Sequence, residues 1–306
     1  MPESVATADH TVSMTYLKGV ILVLMAGVFW SSMGLGIRNI EEANVWQILC
    51  YRSTSLSIFL FILISLRSRF KPIRTIKRSG IAGVVGGFAL VVAFSGGIYA
   101  IQTTTVANAM FLFASAPFFA AILGWLILRE SVRRSTWIAT AVAMAGIAVM
   151  VIDGISLGQM VGNISALASS LGFAIFTIAL RWKKLEDMLP AVFLAGIFAT
   201  VISAAICLSN GYSLALSGND AAIALAMGVF QVGAGLAIYT VGSKVVPAAE
   251  LALLSMTEVL LGPVWVWIFL GETASIYTLF GGFILLLAIA GNALSGLRRK
   301  PPLPVI

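Results

Sequence analysis

The chain has 306 residues, of which 60% are hydrophobic and only 10% are charged. A soluble fold of this length would leave too much of that apolar surface facing water, because folded proteins still expose a large share of what they own. Composition therefore excludes a soluble enzyme or binding domain and makes lipid the solvent. The net charge of +7 would suggest nucleic acid in a soluble protein. No basic stripe interleaved with aromatics lies outside the apolar runs, so the excess reads as the mark of cytoplasmic loops instead.

The N-terminal segment, residues 1–15, is a polar tail with the only histidine, His10. From Tyr16 an apolar run reaches Ile37, too long for a signal-peptide core and without an Ala-x-Ala cleavage pattern, so it is expected to stay as a first membrane helix. Nine further runs follow: Val45–Leu66, Gly80–Ile101, Val106–Leu128, Ser135–Ile152, Val161–Leu180, Leu189–Leu208, Ala221–Gly242, Ala248–Leu270 and Ile276–Leu297. Each is about as long as the ~20 residues a bilayer crossing needs. Lipid cannot satisfy exposed backbone, so runs this long must be helices. Cys50 and Cys207 are too few for a disulfide framework and read as packing thiols.

Counting Lys and Arg in alternate loops fixes the expected topology. With the N-terminus inside, Lys18, the six basic residues between Arg67 and Arg78, then Arg129, Arg133, Arg134, Arg181, Lys183, Lys184, Lys244, Arg298, Arg299 and Lys300 all fall on the cytoplasmic side. Only Arg38 falls outside, and Arg52 lies within a span. This is the positive-inside distribution with both termini cytoplasmic, and a plasma membrane (the inner membrane if the source is bacterial) is the expected location.

Sliding the sequence over itself by 142 positions brings Trp125, Leu128 and Glu130 onto Trp267, Leu270 and Glu272. The same shift places Gly86 and Phe88 on Gly228 and Phe230, and Thr136 on Thr278. Trp and Glu are scarce here, so their coincidence is informative. The expected organisation is a cytoplasmic tail (1–15), a five-helix repeat (16–154), a second five-helix repeat (155–298) and a short cytoplasmic tail (299–306). Five is odd, so the second copy is expected to be inverted: an all-α membrane protein of ten helices, the architecture many carriers use to alternate access.

The segments ending Leu-Ile-Leu-Arg-Glu at Glu130 and Phe-Leu-Gly-Glu at Glu272, Pro117 thirteen residues before Glu130, the Phe29-Trp30-Ser31-Ser32 stretch and the Tyr51-Arg52 pair together resemble the EamA branch of the drug/metabolite transporter superfamily. The resemblance covers nearly the whole chain and implies a ten-helix carrier of small metabolites, similar to the aromatic amino-acid exporters of that branch. One departure is Glu258-Val259 where the family often has Glu-Pro, the proline standing instead at Pro263. A shifted helix break is expected there.

Glu258 lies about eleven residues into the ninth run, ~16 Å deep at the helical rise. An acid at that depth faces a cavity or a partner. It reads as a proton-coupling group or a ligand for a substrate ammonium, or else as a protonated group pinning helices. Arg52 could fork onto a substrate carboxylate, but a structural role, snorkelling outward or holding a carbonyl, is favoured. Glu130 and Glu272 are expected to cap the helix that follows each. Trp30, Ser31 and Ser32 interrupt the first helix with polar chemistry, and Phe88, Tyr99, Asn108, Phe111, Phe176, Gln231 and Tyr239 add aromatics and amides in helices three, four, six and eight. A cavity so lined suits an amphipathic solute, though each aromatic could equally be packing. Glycines at Gly83, Gly86, Gly87, Gly96, Gly97, Gly228, Gly233 and Gly235 make helices three and eight candidates to line or gate it.

The leading function is a secondary carrier, with amino acids, especially aromatic ones, as expected cargo and amphipathic drugs or quaternary cations as the alternative. No phosphate loop supports an ATP-driven pump, and neither a metal-protease nor a nucleophile-elbow motif supports an enzyme. No selectivity-filter pattern supports a channel. The expected partners are a small-molecule substrate and the bilayer, with protons an open possibility as coupling ion; no cofactor and no nucleic acid is implied, and oligomeric state is not fixed.

Overall fold

The structure is a computed structural model that describes residues 3–185 and 187–297. The described residues contain ten helical spans: span 1 (Tyr16–Arg38), span 2 (Val45–Arg67), span 3 (Gly80–Thr103), span 4 (Val106–Leu128), span 5 (Arg134–Ile155), span 6 (Met160–Trp182), span 7 (Leu189–Ser209), span 8 (Gly218–Gly242), span 9 (Glu250–Leu270) and span 10 (Ile276–Ser295). They agree with the expected runs to within three residues at every end. Large apolar side chains such as Ile62, Leu66, Trp125, Ile127, Val201 and Phe283 stand exposed around the bundle, the arrangement expected when the surrounding solvent is hydrocarbon. Residues 298–306, with the basic run Arg298, Arg299 and Lys300, lie outside the described residues.

Local chemistry explains the ends and the breaks. Span 2 opens with a capping box: Asn44 Oδ1 accepts from Trp46 N and Gln47 N at 3.0 and 3.1 Å, while Gln47 Oε1 accepts from Asn44 N at 2.9 Å. The first helix begins at Glu3 and runs to Ser31, so the polar N-terminal segment is a helical extension of span 1; a second piece, Met33–Arg38, completes the span. At that break Ser31 and Ser32 donate their hydroxyls to the carbonyls of Val28 (2.7 Å) and Phe29 (2.6 Å), competing with the backbone ladder. Span 4 divides into Val106–Phe113 and Ala116–Leu128 because Pro117 has no N–H to continue the ladder. Span 8 widens into a π-helix over Met227–Ala234, between Gly218–Ala226 and Gly235–Gly242. The break expected at Pro263 is absent: the helix Ala248–Leu270 runs through it. A short basic helix, Pro72–Arg78, which sequence did not suggest, bridges spans 2 and 3.

The extensive interfaces join spans 3 and 6, 1 and 8, 4 and 6, 1 and 9, 3 and 7, 2 and 8, 2 and 7, and 5 and 10. Exchanging each span n of the first five with span n+5 turns this set into itself. The match extends to detail. Spans 4 and 9 both end in a left-handed residue, Arg129 (φ 54°) and Gly271 (φ 67°). In both, the next N–H bonds back six residues, Glu130 N to Gly124 O and Glu272 N to Val266 O, each at 3.2 Å. The two halves therefore repeat in fold and in packing.

Close approach at these seams needs hydrogen as a side chain. A Cβ on Gly172 of span 6 would lie 2.6 Å from the Ala89 carbonyl oxygen and 2.9 Å from Ala93 N of span 3, where Ser169 Oγ also donates to Ala93 O at 2.7 Å. Such small-residue contacts hold membrane helices together in place of a hydrophobic effect. Gly172→Ala should lower the thermal unfolding midpoint in lipid nanodiscs, at an overpacking cost of about 1–3 kcal/mol. Gly291→Ala, at a site with open space around it, should leave the midpoint unchanged or slightly raised.

Candidate functional site

The break in span 1 is the structural centre of the candidate site. Trp30, just before it, meets Tyr239 of span 8 with ring centroids 5.2 Å apart and planes tilted by 46°. The indole fits because residue 235 is glycine: a Cβ there would lie 2.5 Å from Trp30 Nε1. Ser31 is buried and accepts a 2.9 Å hydrogen bond from Trp265 Nε1 of span 9. Tyr239 in turn lies close to Ser255 of span 9. Glu258, half-buried on the same span, lies beside Gly27 of span 1, where a Cβ would stand 3.5 Å from the Glu258 backbone N. It enters no ion pair among the described residues. Spans 1, 8 and 9 thus bring Trp30, Ser31, Tyr239 and Trp265 together, with the Glu258 backbone packed one turn earlier along span 1.

Two further buried polar side chains lie on spans 2 and 8. Arg52 is 1% exposed, and its Cζ stands 4.8 Å from the centroid of the Phe94 ring of span 3. It neither snorkels outward nor holds a carbonyl, and its Nε is buried without a hydrogen-bond partner. Gln231, buried in the π-helix of span 8, likewise has an unpartnered Oε1.

The other sequence candidates lie elsewhere. Ser32 is half-buried with its hydroxyl spent on Phe29. Phe88 is exposed and stacks on Phe198 of span 7 at 4.4 Å. Tyr99 is exposed. Asn108 is buried and bonds Thr104 Oγ1 (3.0 Å) and Asn163 of span 6. Phe111 packs where Gly282 of span 10 leaves room, and Phe176 where Gly86 of span 3 does. Both cysteines are free, Cys207 buried and Cys50 partly so.

The expected capping role of Glu130 and Glu272 is corrected. The left-handed turns at Arg129 and Gly271 fold each carboxylate back over its own helix end, away from the helix that follows. Glu272 there binds Arg38, Nε to Oε2 at 2.8 Å and Nη2 to Oε1 at 3.4 Å, and accepts from Val106 N at the start of span 4 at 2.6 Å. Arg38 Nη2 also holds the Thr104 carbonyl at 2.7 Å. Glu130 binds Arg181 Nη2 at 2.6 Å. Arg38 ends span 1 and Arg181 ends span 6, so the two pairs correspond under the same exchange as the packing. Sequence reasoning also passed over Trp265, although it stands seven residues after Glu258 and so shares its helix face. It passed over Asp220 too, which gathers the backbone N–H groups of Glu41, Glu42 and Ala43 at 3.0–3.2 Å.

Ten lipid-facing spans, two matched halves and a polar, aromatic centre at a helix break define a multi-pass membrane protein of transporter architecture. The EamA-like transporter family matches twice, over residues 17–152 and 160–294, and the chain belongs to that family. Among curated relatives, an uncharacterized transporter of Helicobacter pylori strain J99 is 24% identical over 175 residues, 55% of this chain and 56% of that protein. The uncharacterized transporter YwfM of Bacillus subtilis is 25% identical, the match covering 61% of this chain and 64% of that one. The chain thus spans between half and two thirds of the lengths of these bacterial relatives. Human solute carrier family 35 member G1 is 22% identical over 92% of this chain and 79% of its own length. A solved crystal structure shares the fold, with a TM-score of 0.65 at 16% identity, over 92% of this chain and 99% of the other.

The two ion pairs differ in surroundings. Arg38 and Glu272 are 26% and 19% exposed, against 49% and 41% for Arg181 and Glu130. Glu272→Gln should cost about 1–3 kcal/mol of stability through lost charge-assisted bonds. Glu130→Gln should cost under about 1 kcal/mol, and added salt should erase that smaller effect. Thermal unfolding in nanodiscs at low and high salt distinguishes the two.

Proposed function

We propose that this chain is a secondary carrier that moves small organic solutes by alternating access, its two five-span halves lying in opposite orientations across a plasma membrane with both termini cytoplasmic. The exchange symmetry of the packing carries this reading. If every span crosses, spans 1 and 9 end on one face and spans 4 and 6 on the other, so the Arg38–Glu272 and Glu130–Arg181 pairs close opposite faces. Two matched halves with matched contacts give the bundle two comparable shapes, one open to each side.

Amino-acid export, with aromatic amino acids foremost, is the cargo and direction we assign. The Trp30–Tyr239 contact, Trp265 and the unsatisfied Gln231 amide support it, since together they offer ring surface and polar anchors. Glu258, an acid within span 9 one turn from that group along span 1's packing face, favours a second reading, export of amphipathic or quaternary cations. The proposed cavity draws on Trp30, Ser31, Tyr239, Gln231 and Glu258.

Counterflow in proteoliposomes tests the carrier. Unlabelled L-phenylalanine on the far side should accelerate entry of labelled L-phenylalanine, whereas a channel gives no acceleration. Glu258→Gln should flatten the pH dependence of that exchange if protons couple through it; an unchanged pH profile removes Glu258 from the coupling role.

A further inference from the structure

Among the described residues, Arg52 is a buried charge that the protein itself does not answer. It stands within span 2, 1% exposed, with Nε enclosed and unpartnered. None of its guanidinium N–H groups meets an acceptor among the described residues, and it joins neither ion pair. The Phe94 ring at 4.8 Å offers attraction to the cation but no acceptor. Other polar groups of the bundle are answered: Arg38 has a carboxylate and a carbonyl, Asp220 has backbone donors, and the buried hydroxyls of Ser31, Ser115 and Ser169 are bonded.

Among the described residues five buried side-chain atoms lack partners, and two of them, Asn108 Oδ1 and Asn163 Nδ2, belong to one amide pair whose other atoms bond each other. The remaining three are Arg52 Nε and Ser53 Oγ of span 2 and Gln231 Oε1 of span 8, the span that packs against span 2. The seam between the two spans is tight: a Cβ on Gly228 would lie 2.1 Å from the Arg52 carbonyl oxygen. Gln231, three residues on, sits in the π-helix Met227–Ala234, a distortion that often marks a functional segment. A buried guanidinium without a counter-charge is a standing cost to the fold. An unpaired charge kept at that cost is suited to an anion that arrives and leaves.

We propose that Arg52, on span 2 with its guanidinium over Phe94 of span 3, is the recognition site for the carboxylate of the transported solute. One guanidinium and no second cation match a monoanion better than a phosphate dianion, and the guanidinium fork fits a planar carboxylate. The inference names the substrate class of the carrier proposed above and rests on that reading; its test is nonetheless separable.

The first arm needs no substrate. In nanodiscs without added solute, Arg52→Met should raise the thermal unfolding midpoint of the full chain, because it removes an unanswered buried charge. A structural arginine would behave oppositely, so an unchanged or lowered midpoint overturns the proposal. The second arm measures thermal protection by 3-phenylpropionate, 3-phenylpropionamide, phenethylamine and inorganic phosphate. The carboxylate should bind the native chain at least ~10-fold more tightly than its neutral amide, about 1.4 kcal/mol. Arg52→Gln should abolish that preference and Arg52→Lys should retain part of it. Equal protection by the amide, the amine or phosphate overturns the proposal, as does a preference that survives in Arg52→Gln or no protection by the carboxylate at all. Loss of counterflow with an Arg52-dependent carboxylate preference intact would count against the carrier alone. Counterflow with no such preference would count against the carboxylate site alone.

Discussion

Inside hydrocarbon, every backbone donor and acceptor that leaves the helical ladder must find another partner, and the features of this fold follow from where that exchange takes place. The ladder is interrupted in spans 1, 4 and 8, and at the first two interruptions a serine hydroxyl takes up a carbonyl: Ser31 and Ser32 in span 1, Ser115 in span 4. The bonds do two jobs. Ser31 also accepts from Trp265, and Ser115 bonds Ser170 of span 6. Each break is thus stitched to a neighbouring span, and side chains gather at the points where the helix loosens.

The ten spans were legible because nothing but a helix can carry a run such as Val106–Leu128 through lipid, and because charges delimit the runs. The repeat was legible through Trp and Glu, residues rare enough here for coincidence to carry weight. The break at Ser32 was foreshadowed by polar residues in an apolar run. Other features depend on neighbours in space and left no local trace. The π-helix of span 8 is one, since Gly228 and Gly233 permit it but spans 2 and 1 shape it. Pro263 misled because one missing N–H does not stop a helix whose other bonds persist.

The candidate site was legible in part. Trp30, Ser31 and Tyr239 come together across spans 1 and 8, while Asn108, Phe111 and Phe176 are occupied in helix contacts, a distinction that residue type alone does not make. Glu130 and Glu272 were visible as repeated acids, but the left-handed turn that aims each at an arginine on another span depends on two dihedral angles. Arg52 was visible as well. Its isolation was not, because a missing partner can be recognised only once the surroundings are known.

The seam between spans 5 and 10 shows what backbone-limited contact means for change over time. A Cβ on Gly146 would lie 2.6 Å from the Gly281 carbonyl oxygen, and one on Gly281 the same distance from the Gly146 carbonyl oxygen. When two side chains collide, trimming one relieves the other. Here the obstacle is a peptide carbonyl, which every amino acid possesses, so no second mutation across the seam can compensate for the first. This pair can diverge only by moving two helices, which makes it an anchor against drift while the loops around it remain free to vary.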